Sequence, residues 1–310
     1  MHRSWLGFCG LLAAVILVAG CRQARQGGPS GTLEVTVSIL PQRTFVERVG
    51  GERVDVNVMV LPGESPATYE PKPAQLRALS GADAYVSIGV PFEDAWLDKI
   101  ASANPEMVIV DTTQGIDRVG GEENPDPHIW LSPTLVKIQA KTICEALVAL
   151  DGAQAEEYRR NLDAFLADID ALDLEIRKTL AGVEQRTFVV FHPSWAYFAR
   201  DYGLEMIAVE VEGQEPSAAE LANLIGKARE AEIEVIFAQP EFSTQAAETI
   251  ASEIGGRVLL ISPLAEDWLA NMRRVVETFA QQLSSQPRAC CEARPGVTGS
   301  LTRGQWHAQV

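Results

Sequence analysis

Residues 153–180 form one amphipathic stretch in which Leu162, Phe165, Ile169, Leu172, Ile176 and Leu180 recur every three or four positions. That spacing places all six on one stripe of an α-helix. At ~1.5 Å per residue the segment predicts a rod roughly 40 Å long. Such a rod exceeds the diameter of a small domain, so it has to run past two bodies rather than sit inside one.

Both flanks of this segment alternate strand-like and helix-like stretches. Before it, residues 32–40 and 54–60 carry valines, leucine and isoleucine at every second position, the pattern of half-buried strands. Short apolar runs at 84–90 and 107–111 read as buried strands. Helical spacing covers 73–80 and 92–101. Ser132 followed by Pro133 opens a further helix, which Asp151-Gly152 ends. After the long segment, strands are expected at 187–191, 235–238 and 258–261. Helices are expected at 244–254 and 268–283, and Ser217 with Glu220 forms a capping box for another. Alternation of this kind predicts α/β architecture with parallel sheets covered by helices. The expected organisation is a lobe at 33–151, a linking helix at 152–182 and a second lobe at 183–285.

The first residues speak to compartment. Arg3 precedes an apolar run of about fifteen residues that ends at Val18-Ala19-Gly20-Cys21. The run is shorter than the ~20 residues a membrane-spanning helix needs and has the make-up of a secretory signal, residues 1–20. A cysteine just after small residues resembles the bacterial lipobox, which implies a mature chain acylated at Cys21 and held to a membrane by lipid. Residues 21–32, rich in Gly, Gln and Ser, read as a flexible tether. Residues 286–310 lack periodicity and read as a disordered tail. The net charge of −16 argues against nucleic acid, which needs a basic surface. Of five cysteines, Cys144 falls in a helical pattern and reads as core, and no disulfide or zinc-finger spacing is present.

Chemistry concentrates around two of the four histidines. His128 stands in Asp126-Pro127-His128-Ile129-Trp130-Leu131-Ser132-Pro133, just before a helix. His192 directly follows the strand at 187–191. Gln239-Pro240-Glu241 and Ser262-Pro263 also follow strands, and open α/β sheets bind ligands at the carboxyl ends of their strands. No Gly-x-Ser-x-Gly elbow, His-Glu-x-x-His pair or Gly-rich phosphate loop occurs, so the chain reads as a binding protein rather than an enzyme.

Several motifs carry a resemblance. They are Gly63-Glu-Ser-Pro-Ala-Thr-Tyr-Glu-Pro71, the 126–133 run, the His192 segment with Tyr197-Phe198 and Tyr202-Gly203-Leu204, Glu215-Pro216-Ser217, and Ser262-Pro263-Leu264. In order and spacing they resemble the metal-binding receptors of bacterial zinc and manganese ABC transporters. That family has two α/β lobes on a long backbone helix. The resemblance implies capture of a divalent metal outside the cytoplasmic membrane, with zinc leading and manganese or iron also possible. It implies delivery to an ABC permease and its ATPase. Of four customary ligand positions only His128 and His192 carry over, because Ala67 stands where a histidine is usual and Ser262 where an aspartate is usual. The family's frequent histidine-rich loop is missing between 112 and 126. Glu241, then Glu64, are the first candidates to complete the site, with Asp126, Glu210 and Glu70 behind them, since zinc sites take four ligands or three plus water. Tyr69, Trp130, Trp195, Tyr197 and Phe198 cluster beside the same motifs, either as inter-lobe packing or as the wall of a pocket. Two other cargoes or roles stay open on the same fold: a metal chelate or small organic ligand, and an adhesin-like surface lipoprotein.

Overall fold

The computed structural model describes residues 31–121, 123–210, 217–230, 233–241 and 244–284. The signal segment, Cys21, the tether up to Ser30 and the tail beyond Ser284 lie outside the described residues. No described helix is long and apolar enough to cross a membrane.

Two four-stranded parallel sheets form the framework. The first contains β1 (Leu33–Val37), β2 (Val54–Val58), β3 (Ala84–Ser87) and β4 (Val108–Asp111) in the order β2-β1-β3-β4. The second contains β5 (Thr187–Val190), β6 (Glu205–Ala208), β7 (Val235–Ala238) and β8 (Arg257–Leu260) in the order β6-β5-β7-β8. Each lobe therefore repeats one winding, with the first strand central and the third and fourth stepping outward on one side. Register is set by apolar partners such as Val35 opposite Val56 and Ala84. Residues of β3 and β7 are buried along their whole length, as expected of central parallel strands.

Helices cover the sheets: α1 (Leu40–Gly50), α2 (Pro73–Leu79), α3 (Pro91–Ala103) and α4 (Pro133–Leu150) in the first lobe. The second lobe carries α6 (Ala196–Tyr202), α7 (Ala218–Glu230), α8 (Gln245–Ile254) and α9 (Trp268–Ser284). The expected caps are present. Ser132 Oγ accepts from Leu135 N at 3.2 Å, and the Ser217–Glu220 box closes with Ser217 N on Glu220 Oε2 at 2.8 Å.

Between the lobes runs α5 (Ala155–Leu180), 26 residues long. Its buried stripe is Tyr158, Phe165, Ile169, Leu172, Ile176 and Leu180, and it packs on α1 and α4 of the first lobe and α9 of the second. One continuous apolar core includes both lobes, with Phe45 of α1 stacked edge-on to Trp268 of α9 at 5.3 Å. A smaller apolar cluster fills the outer side of the second sheet.

Several elements differ from the sequence reading, which also lacked the helix α6. The strand expected at 32–40 ends at Val37, and α1 begins at Leu40. The turn is made by Gln42, whose Oε1 accepts from Ser38 N and Ile39 N while its Nε2 donates to Val86 O. The edge strand β6 was not expected at all. Only its pairing with β5 makes it a strand.

Candidate metal centre

His192 reaches its place by strand extension. Beyond β5, Phe191 N donates to Phe237 O and Glu210 N donates to Phe191 O at 2.9 Å, so parallel pairing continues past the strand ends. This sets Glu210 alongside the next residue, and Glu210 Oε2 lies 2.6 Å from His192 Nδ1. His128 is held by a tighter local device. Asp126 Oδ1 accepts from His128 N at 2.8 Å and contacts its Nδ1 at 2.7 Å, an Asx-type turn that orients the ring before α4 begins. Tyr197 of α6 reaches across the lobes to donate to Asp126 O at 2.7 Å and accept from Val119 N at 3.1 Å.

These two loops bring the imidazoles face to edge, 5.2 Å between ring centres, one from each lobe. A carboxylate beside each Nδ1 puts the proton there and the lone pair on Nε2, the arrangement in which histidine binds metals. Burial holds the His128 imidazole below its ordinary pKa, against the opposing pull of Asp126. The ring is therefore neutral, and ready to bind, at physiological pH.

Glu241 lies just past β7, on the other side of the same space. Ser262 Oγ donates to its Oε1 at 3.0 Å, while its Oε2 is buried with no hydrogen-bond partner among the described residues. Burial raises the Glu241 carboxyl above its usual range, opposed first by a hydrogen bond from its own backbone N–H and then by the one from Ser262. An orphaned buried carboxylate oxygen is costly unless something cationic arrives to satisfy it. Glu241 thus brings a carboxylate beside Ser262, the position where the family resemblance implies an aspartate.

His128, His192, Glu241, Asp126, Glu210 and Ala67 all line one cavity of about 750 Å³ between the lobes. Glu64 does not join them. It lines an adjoining cavity of about 250 Å³ that shares Glu241, and its carboxylate is committed to Lys72 Nζ at 2.8 Å and Leu61 N at 3.1 Å. The lysine contact also keeps the Glu64 carboxyl below its usual range. Glu70 is exposed and lines neither cavity. Asp126 and Glu210 are in place as partners of the histidines. Among the described residues no three His, Cys, Asp or Glu side chains are gathered tightly enough to hold an ion.

Of the aromatic cluster, only Trp130 borders the cavity. Tyr69, Trp195, Tyr197 and Phe198 are core residues. Trp130 fastens the lobes together beside the site: its Nε1 donates to Pro263 O, and its carbonyl accepts from Trp268 Nε1, both at 2.7 Å. Neither this lock nor the Tyr197 bridge has a marker in a single sequence, because both depend on loops far apart in the chain.

A family model described as zinc-uptake complex component A, periplasmic, matches residues 35–282. The chain belongs to this family. The high-affinity zinc uptake system protein ZnuA of Bacillus subtilis (strain 168) is 29% identical over 290 residues, covering 85% of this chain and 90% of that protein. The manganese-binding lipoprotein MntA of Halalkalibacterium halodurans is 27% identical over 291 residues, covering 88% and 97%. A crystal structure of ZnuA superposes with a TM-score of 0.80 at 50% identity, over 82% of this chain and all of that one. The expected family and its two-lobed fold with a long helix are thereby established.

Proposed function

We propose that this chain captures a divalent metal ion outside the cytoplasmic membrane, anchored by lipid at Cys21, and passes it to an ABC permease driven by its ATPase. The observation that carries this reading is the facing pair of imidazoles, one from each lobe, each with Nδ1 held by a carboxylate. His128 and His192 supply nitrogen through Nε2, and Glu241 supplies oxygen through its unpartnered Oε2. Mixed nitrogen and oxygen donors suit zinc first, and manganese or ferrous iron with more oxygen.

Capture needs no bond-making beyond coordination. The incoming cation satisfies the buried Glu241 oxygen and displaces solvent, while Asp126 and Glu210 keep the rings aimed. Because the lobes share one core and the Trp130–Pro263 and Trp268–Trp130 bonds cross beside the cavity, release proceeds by movement of the site loops rather than by wide opening of the lobes. Elemental analysis of tag-free protein, paired with competition titration of the wild type and a His128→Ala/His192→Ala variant, tests the reading. One equivalent of metal in the wild type and none in the variant is expected. A wild type that takes up no zinc, manganese or iron refutes it.

A further inference from the structure

We infer that the metal is bound together with a small organic chelator, which completes its coordination beside the two histidines and fills the cavity above them. The inference rests on the metal-binding reading above and specifies its cargo: a metal carrying one bidentate nitrogen/oxygen ligand with an apolar body.

Three observations lead there. The first is size. The cavity of about 750 Å³ has room for some twenty-five waters at ~30 Å³ each, far beyond an ion with one or two waters. It falls in the range of small-molecule pockets, roughly 300–1,000 Å³.

The second is the donor count. Two imidazoles and the Glu241 carboxylate border the cavity without being gathered tightly enough to hold an ion by themselves, and Asp126 and Glu210 are engaged with the rings. At the mouth, Ala67 presents a methyl group, and the nearby Ser65 hydroxyl is occupied by Ala67 N at 3.3 Å. Glu64, the nearest carboxylate in that turn, is tied to Lys72 outside this cavity. Zinc held by the two imidazoles and Glu241 has a fourth position open and can expand to a fifth, and one bidentate ligand takes both.

The third is the character of the wall. Around the open position stand Pro66, Ala67, Val90, Pro91 and Trp130, with Met206 on the opposite lobe. Among the described residues no lysine or arginine lines the cavity. A highly charged anionic chelator would find no countercharge there except the metal, whereas a neutral or monoanionic one with an apolar ring would bury that ring against proline, valine and tryptophan. The apolar wall gives affinity to the chelator body, and the metal gives it orientation.

The experiment uses the full mature chain and picolinate, a monoanionic bidentate nitrogen/oxygen chelator with an apolar ring. Zinc binding is measured at matched free zinc set by a metal buffer, with and without picolinate, and with radiolabelled picolinate followed by equilibrium dialysis. Picolinate is expected to tighten zinc binding at least tenfold and to be retained one-to-one with metal, and not to be retained without it. L-Histidine, a second bidentate donor, is expected to act in the same direction, and oxalate, dianionic and without an apolar body, is expected to act weakly. Ala67→His is expected to bind zinc alone about tenfold more tightly and to lose the picolinate effect. Ala67→Phe, which fills the mouth without adding a donor, is expected to lose the effect with no gain for zinc alone. Position 67 is exposed, so both variants fold. Zinc binding that is equally tight with and without picolinate and histidine overturns the chelator and leaves metal capture standing. Absence of zinc binding under every condition overturns both.

Discussion

The two lobes share a winding but differ in how they close the ends of their strands. In the first lobe, the central strand β1 is linked to its neighbour through Ser38, whose hydroxyl donates to the buried carboxylate of Glu93 and also contacts Tyr85 Oη at 2.7 Å. In the second lobe the corresponding link is Gln239 Nε2 donating to Ser194 Oγ at 2.6 Å, beyond β7 and β5. One lobe ties its sheet with an ionisable group, the other with a neutral amide. The lobes also differ at the cavity between them. The second sends in the Glu241 carboxylate beside Ser262, while the first presents the methyl group of Ala67. One winding therefore furnishes the two sides of a cavity differently, depending on whether a strand end supplies a side chain long enough to reach.

The largest expected effect concerns the buried links. Glu93 accepts from Ser38, Ile88 N and Gly89 N, yet burial dominates and pushes its carboxyl to about 7. Its ordinary value is near 4.5, so the folded chain keeps a proton that the unfolded chain releases, and stability falls as pH rises from 4.5 through 7. The expected loss is about 3 kcal/mol, read as the wild type minus Glu93→Gln difference in denaturant unfolding across that window. Gln239→Glu should create a pH dependence of the same sign in the second lobe. A wild type and Glu93→Gln pair whose difference is flat with pH would end the contrast.

Next come the histidines. His128→Ala and His192→Ala should each weaken metal binding beyond ~100-fold, the upper end of what outer partners cost, because each removes a direct donor. Unequal losses in competition titrations would show one lobe carrying the site alone. Glu241→Gln should cost ~100-fold or less, and adding Ser262→Asp to that variant should restore most of it, since the aspartate would stand where Glu241 now reaches. Without rescue, the idea that Glu241 substitutes for that position fails. The carboxylates behind the rings matter less: Asp126→Asn and Glu210→Gln should cost about tenfold each, in metal affinity rather than in folding. The smallest effect belongs to Glu64. Its exposed pairing with Lys72 is worth under ~1 kcal/mol, and Glu64→Gln should leave metal affinity within about twofold. A large loss there would move the site toward the smaller cavity.

Much of the site was legible beforehand because its members follow strand ends, where chain order alone places them. His192 and Glu241 were found that way and His128 by its place just before a helix, and the structure sets all three around one cavity. Glu64 shows the limit. Its nearness to Ala67 in sequence made it a candidate, but its direction was settled by Lys72 and by the Leu61 backbone. The start of α1 was hidden for a related reason. Alternation from Leu33 runs on through Ile39, and only Gln42 folding back onto Ser38 and Val86 ends the strand early.

By itself the sequence determined the elements with strong periodicity: the 26-residue α5, the buried parallel strands, the capped starts of α4 and α7, and the two histidines at loop positions. These are local consequences of side-chain spacing and of backbone groups that need partners, so they are written in neighbouring residues. Tertiary structure alone decided which carboxylate stands behind each imidazole, that Ser262 holds Glu241, and that the space above Ala67 stays open. Those outcomes depend on how two lobes lock together through Trp130, Tyr197 and Trp268, contacts spanning 71 to 138 residues of chain, over which no local pattern reports.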